Sequence, residues 1–156
     1  MNKYEKLLED AAEKGLYVVE NAAFESNSHG LINGDVIGLN RELDSTTEKA
    51  CILAEELGHH YTSVGNIVDM SKVQNRKQER QARLWGYNEM VGLAGLIKAY
   101  EHGCHGLDEA AECLEVTAEY LQECVDCYRE KYGASVVFDN YYIIFIPHLM
   151  VGKIIK

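Results

Sequence analysis

The sequence predicts an α+β fold, with helices in the majority and a small antiparallel sheet. Three observations carry this. Apolar residues recur at helical spacing in several segments. Asn33-Gly34 separates the short apolar runs Leu31-Ile32 and Val36-Ile37-Gly38-Leu39, a strong short-range hairpin signal. Asp139-Asn140 separates two further β-prone runs, 136–138 and 141–145. With 156 residues, 47% of them hydrophobic and 26% charged, the chain can bury a core and is not a disordered tract.

In chain order, Tyr4, Leu7, Leu8, Ala11 and Ala12 mark one face of a first helix, and Gly15 stands where a C-terminal cap belongs. Residues 16–20 are short and β-branched, hence a strand. A polar loop over 26–30 leads into the Asn33-Gly34 hairpin. Ser45-Thr46-Thr47-Glu48 has the form of a capping box, in which the Ser hydroxyl covers a backbone N–H and the Glu reaches back. The apolar run Ala50, Cys51, Ile52, Leu53, Ala54 and Leu57 then predicts a buried helix. A long polar helix follows over 71–90, with Val73, Ala82 and Trp85 on its apolar side. Beyond Gly92 the spacing predicts shorter helices over 92–101, 107–114 and 117–132; Glu115-Val116 joins the last two and Gly133 ends the series. The strands at 136–138 and 141–145 form a terminal hairpin, which Pro147, the only proline, ends. A change of character near residue 92 divides the expected organisation. Residues 1–91 form one domain; 92–156 form a helical, helix-turn-helix-like region ending in a β-hairpin, expected to pack as one unit with the first.

The net charge of −10 repels a phosphate backbone. Within 107–127 the charged residues are Asp108, Glu109, Glu112, Glu115, Glu119, Glu123 and Asp126, with no Lys or Arg. A recognition helix needs the opposite sign, so no direct nucleic-acid partner is expected. A divalent cation or a basic protein surface fits better. No apolar run reaches the roughly 18 residues of a membrane span, and 1–10 lacks the apolar core of a signal peptide. No membrane partner is expected, and the cytoplasm is the expected location. There the five cysteines would be thiols, and their odd number agrees. Cys124-Val125-Asp126-Cys127 is a C-x-x-C inside a predicted helix with no second such pair, so structural thiols are expected rather than a zinc or redox site.

Charge inside the apolar helix is the anomaly. Glu55, Glu56 and His59 directly follow Ile52-Leu53-Ala54. Residues four apart on a helix lie about 40° apart around the axis, so Glu55 and His59 can hold one ion, with Glu56 beside them. A polar stripe or a structural Glu–His pair has the same spacing, and spacing alone leaves both readings open. His60 points about 100° from His59, which suits a supporting or core role. Tyr61 can donate a hydrogen bond to a developing oxyanion, or pack in the core. His29 lies near the first hairpin.

Leu53-Ala54-Glu55-Glu56-Leu57-Gly58-His59-His60-Tyr61 resembles the active-site helix of the ImmA/IrrE family of metallopeptidases, which carries the zincin pattern H-E-x-x-H. The resemblance covers nearly the whole chain. It includes the first helix, the hairpin before the active helix, and Glu79-Arg80-Gln81-Ala82-Arg83-Leu84-Trp85. It continues through Val116-Thr117, Tyr128-Arg129-Glu130-Lys131-Tyr132-Gly133 and 142–147. It implies a zincin-like minimal metallopeptidase domain. Carried over residue by residue, His59 is a metal ligand, Glu56 the general base that deprotonates the attacking water, and Glu79 the carboxylate ligand. Arg83, one turn from Glu79, orients that carboxylate or forms a surface pair. The implied cofactor is Zn2+.

Position 55, where the family pattern has its first histidine, is glutamate. A set of Glu55, His59 and Glu79 carries two negative charges, makes the ion a weaker Lewis acid, and leans towards Mn2+ or another oxygen-preferring ion. The resemblance implies a metal-dependent endopeptidase that cleaves a helix-turn-helix repressor and relieves repression of a prophage or mobile element. The alternative is a catalytically impaired binding module of the same fold that acts on such a repressor by protein–protein contact. A DNA-binding regulator ranks last because of the acidic helices.

Overall fold

Asn2 starts the first helix, α1 (Lys3–Glu13). Its Oδ1 accepts the Glu5 N–H at 2.8 Å, and the Glu5 carboxylate accepts the Asn2 N–H at 3.2 Å. Two donors that the helix itself cannot satisfy are thereby covered. The computed structural model describes residues 1–24, 28–62 and 72–155, with side chains from 76 onward in the last segment. They fall into two compact units, Met1–Glu89 and Met90–Lys156. The architecture is α+β throughout.

In the first unit α1 buries Tyr4, Leu7 and Ala11. Gly15, at φ 77°, turns the chain out of the helix, while the Leu16 N–H returns to the Ala11 carbonyl at 2.9 Å. Leu16 is thus a buried part of the helix end rather than of a strand. Strand β1 accordingly runs Tyr17–Ala22, one residue later and two longer at its end than the expected 16–20. Strands β2 (Gly30–Asn33) and β3 (Val36–Asn40) form the antiparallel hairpin around Gly34, at φ 61°. Of the loop expected over 26–30, residues 26 and 27 lie outside the described residues.

The sheet order is β1-β3-β2, and β1 pairs with β3 in parallel, Tyr17 opposite Val36 and Val19 opposite Gly38. The sheet is therefore mixed, where a purely antiparallel one was expected. The reason lies in burial. Ile37 and Leu39 are fully buried, so β3 takes the centre; the hairpin has already reversed the chain, so β3 returns in the direction of β1.

Helix α2 (Thr46–Thr62) opens on Ser45, whose Oγ accepts the Glu48 N–H at 3.1 Å. The Glu48 carboxylate reaches back, but to the Asp44 N–H, at 3.4 Å. The helix packs on α1 and on β2 and β3, burying Ala50, Leu53, Ala54 and Leu57. Helix α3 (Lys72–Met90) follows, with Ala82 fully buried; Ser71 and the side chain of Val73, both assigned to it from sequence, lie outside the description.

The second unit comprises α4 (Gly92–Glu101), α5 (Leu107–Leu114), α6 (Ala118–Tyr132) and the antiparallel strands β4 (Ser135–Phe138), β5 (Tyr141–Ile144) and β6 (Met150–Lys153) in that order. Glu115, in the left-handed conformation, ends α5, and the Thr117 side chain caps α6 by accepting the Tyr120 N–H at 3.0 Å. Leu121, Tyr128, Ile143 and Phe145 are fully buried; the Tyr128 ring of α6 meets Phe145 edge-on at 6.4 Å, and the Arg129 Nε–H donates to the Phe145 carbonyl at 3.2 Å. The hairpin at Asp139-Asn140 forms as expected. Strand β6 was not expected: after Pro147 a four-residue segment pairs with β5, Val151 opposite Ile143. Among the described residues, no helix is long and apolar enough to cross a membrane.

Candidate metal centre

Helix α2 is buried through its middle, so its charged residues are held where water is scarce. Leu53 and Leu57 anchor one face; Glu55 and His59, four apart, share another. Helix α3 brings Glu79. What lets the helices approach is a pair of small residues: a Cβ on Gly58 would fall on the Ala82 carbonyl oxygen and lie 3.2 Å from the Ala82 Cα. Because Gly58 precedes His59 and Ala82 follows Glu79 by three, this contact sets the two chemical groups face to face. The His59 Nε2 is 3.2 Å from the Glu79 Oε2.

One donor atom each from Glu55, His59 and Glu79 lies within 4.8 Å of the other two. Donors sharing one tetrahedral ion lie roughly 3.4 Å apart, so small side-chain movements bring this set onto a cation. Glu55 and His59 are half-buried, and Glu79 is exposed on the solvent side. Two carboxylates and an imidazole are the donor chemistry of a divalent-ion site, with manganese or zinc within its range. The residues present fit a metal.

Glu56 is 8% exposed and is pushed up to about 7, first by burial, then by the charges of Glu55 and Glu79. Its side chain packs against the start of β2. A Cβ at Gly30 would lie 3.2 Å from the Glu56 Cγ and 2.6 Å from the Ile52 Cγ2, so only glycine lets the strand come this close. Asn40 holds that approach. Its side-chain N–H donates to the Ser28 carbonyl at 2.8 Å, and its Oδ1 accepts the Glu42 N–H at 2.9 Å. Sequence reading singled out neither Gly30, Gly58 nor Asn40. Gly58 alone had a signal, its place between the apolar Leu57 and His59.

The remaining candidates divide. Arg83 pairs with Glu55, Nε to Oε1 at 3.5 Å, rather than with Glu79. Burial would lower its pKa, but Glu55 and then Glu79 more than offset this, so it remains a cation. Tyr61 stacks on Trp85, centroids 4.8 Å apart, and is 40% exposed rather than a core residue. Burial, then Asp10 and Glu89, raises its pKa, so its hydroxyl remains a donor at neutral pH. His60 meets Tyr61 edge-on at 5.0 Å and is not among the clustered donors. His29 is exposed, and its carbonyl accepts the Asn40 N–H at 2.8 Å.

The family model described as the IrrE N-terminal-like domain, Peptidase_M78, matches residues 11–124. No curated protein and no solved structure matches the chain.

Proposed function

The chain belongs to the M78 peptidase family of IrrE N-terminal-like domains, and on that premise we propose that it is a metal-dependent endopeptidase whose substrate is a helix-turn-helix repressor protein. The observation that supports this is the meeting of the Glu55, His59 and Glu79 donors within 4.8 Å, beside the buried Glu56. These three residues would hold the ion, Zn2+ or an oxygen-preferring ion such as Mn2+. Such an ion supplies the positive charge that acidifies a water and polarises the scissile carbonyl.

The chain's own part is proton movement and positioning. Glu56 accepts the proton of the attacking water at a carboxylate oxygen and returns it to the leaving amine. Burial, the first cause of its raised pKa in the ion-free chain, strengthens it as a base, while a bound cation would offset the added charges of Glu55 and Glu79. Strand β2 begins against Glu56, and its outer edge pairs with no strand among the described residues, so an extended peptide could add there. The net charge of −10 favours a substrate with a basic surface, as a DNA-binding repressor has. Cleavage in that repressor's linker would relieve repression of a prophage or mobile element.

The first test is elemental analysis of protein purified without a tag or chelator. About one zinc or manganese per chain is expected, and its loss in Glu55→Ala, His59→Ala and Glu79→Ala. A parent chain that takes up neither metal in excess would sink the proposal.

A second reading has one observation in its favour. The Arg83–Glu55 pair places a guanidinium where it competes with a metal for that carboxylate. On this reading the chain is a binding module that inactivates the repressor by holding it. On the enzymatic reading, Arg83 restores the charge that glutamate in place of histidine removes: two carboxylates cancel a divalent ion, and the guanidinium adds back one positive unit. The readings separate on Arg83→Leu. The enzyme would keep its metal and lose about tenfold in activity, the scale of an outer partner to a metal ligand. The binding module would gain metal affinity and show no activity. Glu55→His is the companion: gained metal affinity and activity indicate an impaired site, whereas no gain, or a loss, indicates that Glu55 already serves as a ligand.

A further inference from the structure

Two of the five cysteines meet in the second unit. After α4 the chain turns at Gly103, φ 72°, and the Cys104 N–H bonds the Ala99 carbonyl at 3.2 Å. The next residue, His105, donates its N–H to the Glu109 carboxylate at 2.7 Å. The Cys104 thiol itself donates to the Glu109 carbonyl at 3.7 Å. The connection is therefore pinned along the start of α5. Cys113 stands four residues after Glu109, about 40° around the same helix, and so shares its face one turn on. The Cys104 thiol is thus held against α5 within one turn of Cys113.

Both thiols are half-buried, and both line an open cavity of about 450 Å3 with Lys98, His102, Glu109 and Glu112. That volume is in the range of small-molecule sites. Its wall carries both signs of charge, as a zwitterionic peptide does. The other cysteines differ. Cys51 and Cys124 are buried and do not line this cavity; burial raises the Cys124 thiol to about 12, and Cys104 is raised too, first by burial and then by Cys113. Cys127 is half-buried like the pair, but it lies three residues after Cys124 within α6 and does not line this cavity.

We propose that Cys104 and Cys113 form a reversible disulfide by exchange with a low-molecular-weight peptide disulfide that enters this cavity. The thiolate of one cysteine attacks a sulfur of the small disulfide; a mixed disulfide forms and one small thiolate leaves. The thiolate of the second cysteine then attacks the protein sulfur of that mixed disulfide, the Cys104–Cys113 bond forms, and the second small thiolate leaves. The protein loses two electrons, the small disulfide gains them, and the two cysteine protons pass to the departing thiolates. The bond fastens the α4–α5 turn covalently where hydrogen bonds hold it in the reduced chain. The reverse exchange, with the small thiol in excess, releases it.

The test uses the reduced full chain in a series of reduced and oxidised glutathione mixtures, quenched with iodoacetamide and digested for mass spectrometry. As the oxidised share rises, a Cys104–Cys113 cross-linked peptide accumulates with the loss of two hydrogens, and it disappears again under excess reduced glutathione. In Cys104→Ser and Cys113→Ser the cross-link is lost and the remaining thiol stops at the mixed disulfide. The parent chain is read directly, so the result does not depend on a variant folding. Alkylation of both cysteines throughout the series, a persistent mixed disulfide in the parent, or a cross-link that joins Cys124 to Cys127 instead would each overturn the proposal.

Discussion

Glu56→Gln is expected to abolish peptide hydrolysis while leaving metal content unchanged. Glutamine keeps the shape of the side chain against Gly30 and Ile52 but cannot take the proton of the attacking water. Removing a positioned base costs about 100- to 10,000-fold in rate. Metal content and cleavage of a repressor substrate are read on the same preparation. Undiminished cleavage would place the base elsewhere. The variant has a second signature, free of any substrate. In the ion-free chain the folded carboxyl keeps its proton up to about 7, against an ordinary value of 4.5. A folded pKa above the unfolded one means that the folded state binds the extra proton. The stability this confers is present below about 4.5 and is lost as pH rises through about 7, by roughly 3 kcal/mol. Glutamine has no such proton, so the loss should vanish. Urea unfolding in chelator at about pH 5 and about pH 8 checks it. If parent and variant lose stability in parallel, burial of Glu56 is not its cause.

Gly58→Ala is expected to destabilise the chain and weaken the metal centre together. In an exposed helix interior the same change would stabilise by about 1 kcal/mol, because alanine has the higher helix propensity. Here the added methyl meets the backbone of Ala82, which no rotamer change relieves. Overpacking of this kind costs about 1–3 kcal/mol. The helices must part, and the 3.2 Å approach of His59 to Glu79 opens with them. A ligand set displaced by about 1 Å is poorly preorganised, so metal affinity should fall by about tenfold or more. Thermal unfolding with and without metal, with a metal titration, measures both effects. A Gly58→Ala chain as stable and as metal-competent as the parent would show that this contact does not set the site.

Several elements were legible because their signals are local. Tyr4, Leu7 and Ala11 fall on one buried face, as their spacing indicates, and Asn33-Gly34 and Asp139-Asn140 make their turns. The four-residue spacing of Glu55 and His59 likewise placed them together on α2. Other features had no local signal. Strand β6 is four residues long and follows a proline, and only the neighbouring edge of β5 makes it a strand. Arg83 is one turn from Glu79 on the same helix, which suggested that pairing, yet Glu55 on α2 is its ion-pair partner.

By itself, then, the sequence determined which residues form helices and hairpins, and which helix carries the charged cluster, since these follow from periodicity and turn chemistry within a few residues. It was also enough, through a whole-chain resemblance, to indicate the family. The tertiary structure alone decided the parallel pairing of β1 with β3, the closeness of Gly58 to Ala82, the burial that lifts Glu56, and the meeting of Cys104 with Cys113. Each of these depends on atoms from separate elements sharing one volume. Side-chain spacing along a single helix or strand cannot report that, because the energy of such contacts arises only once the elements pack.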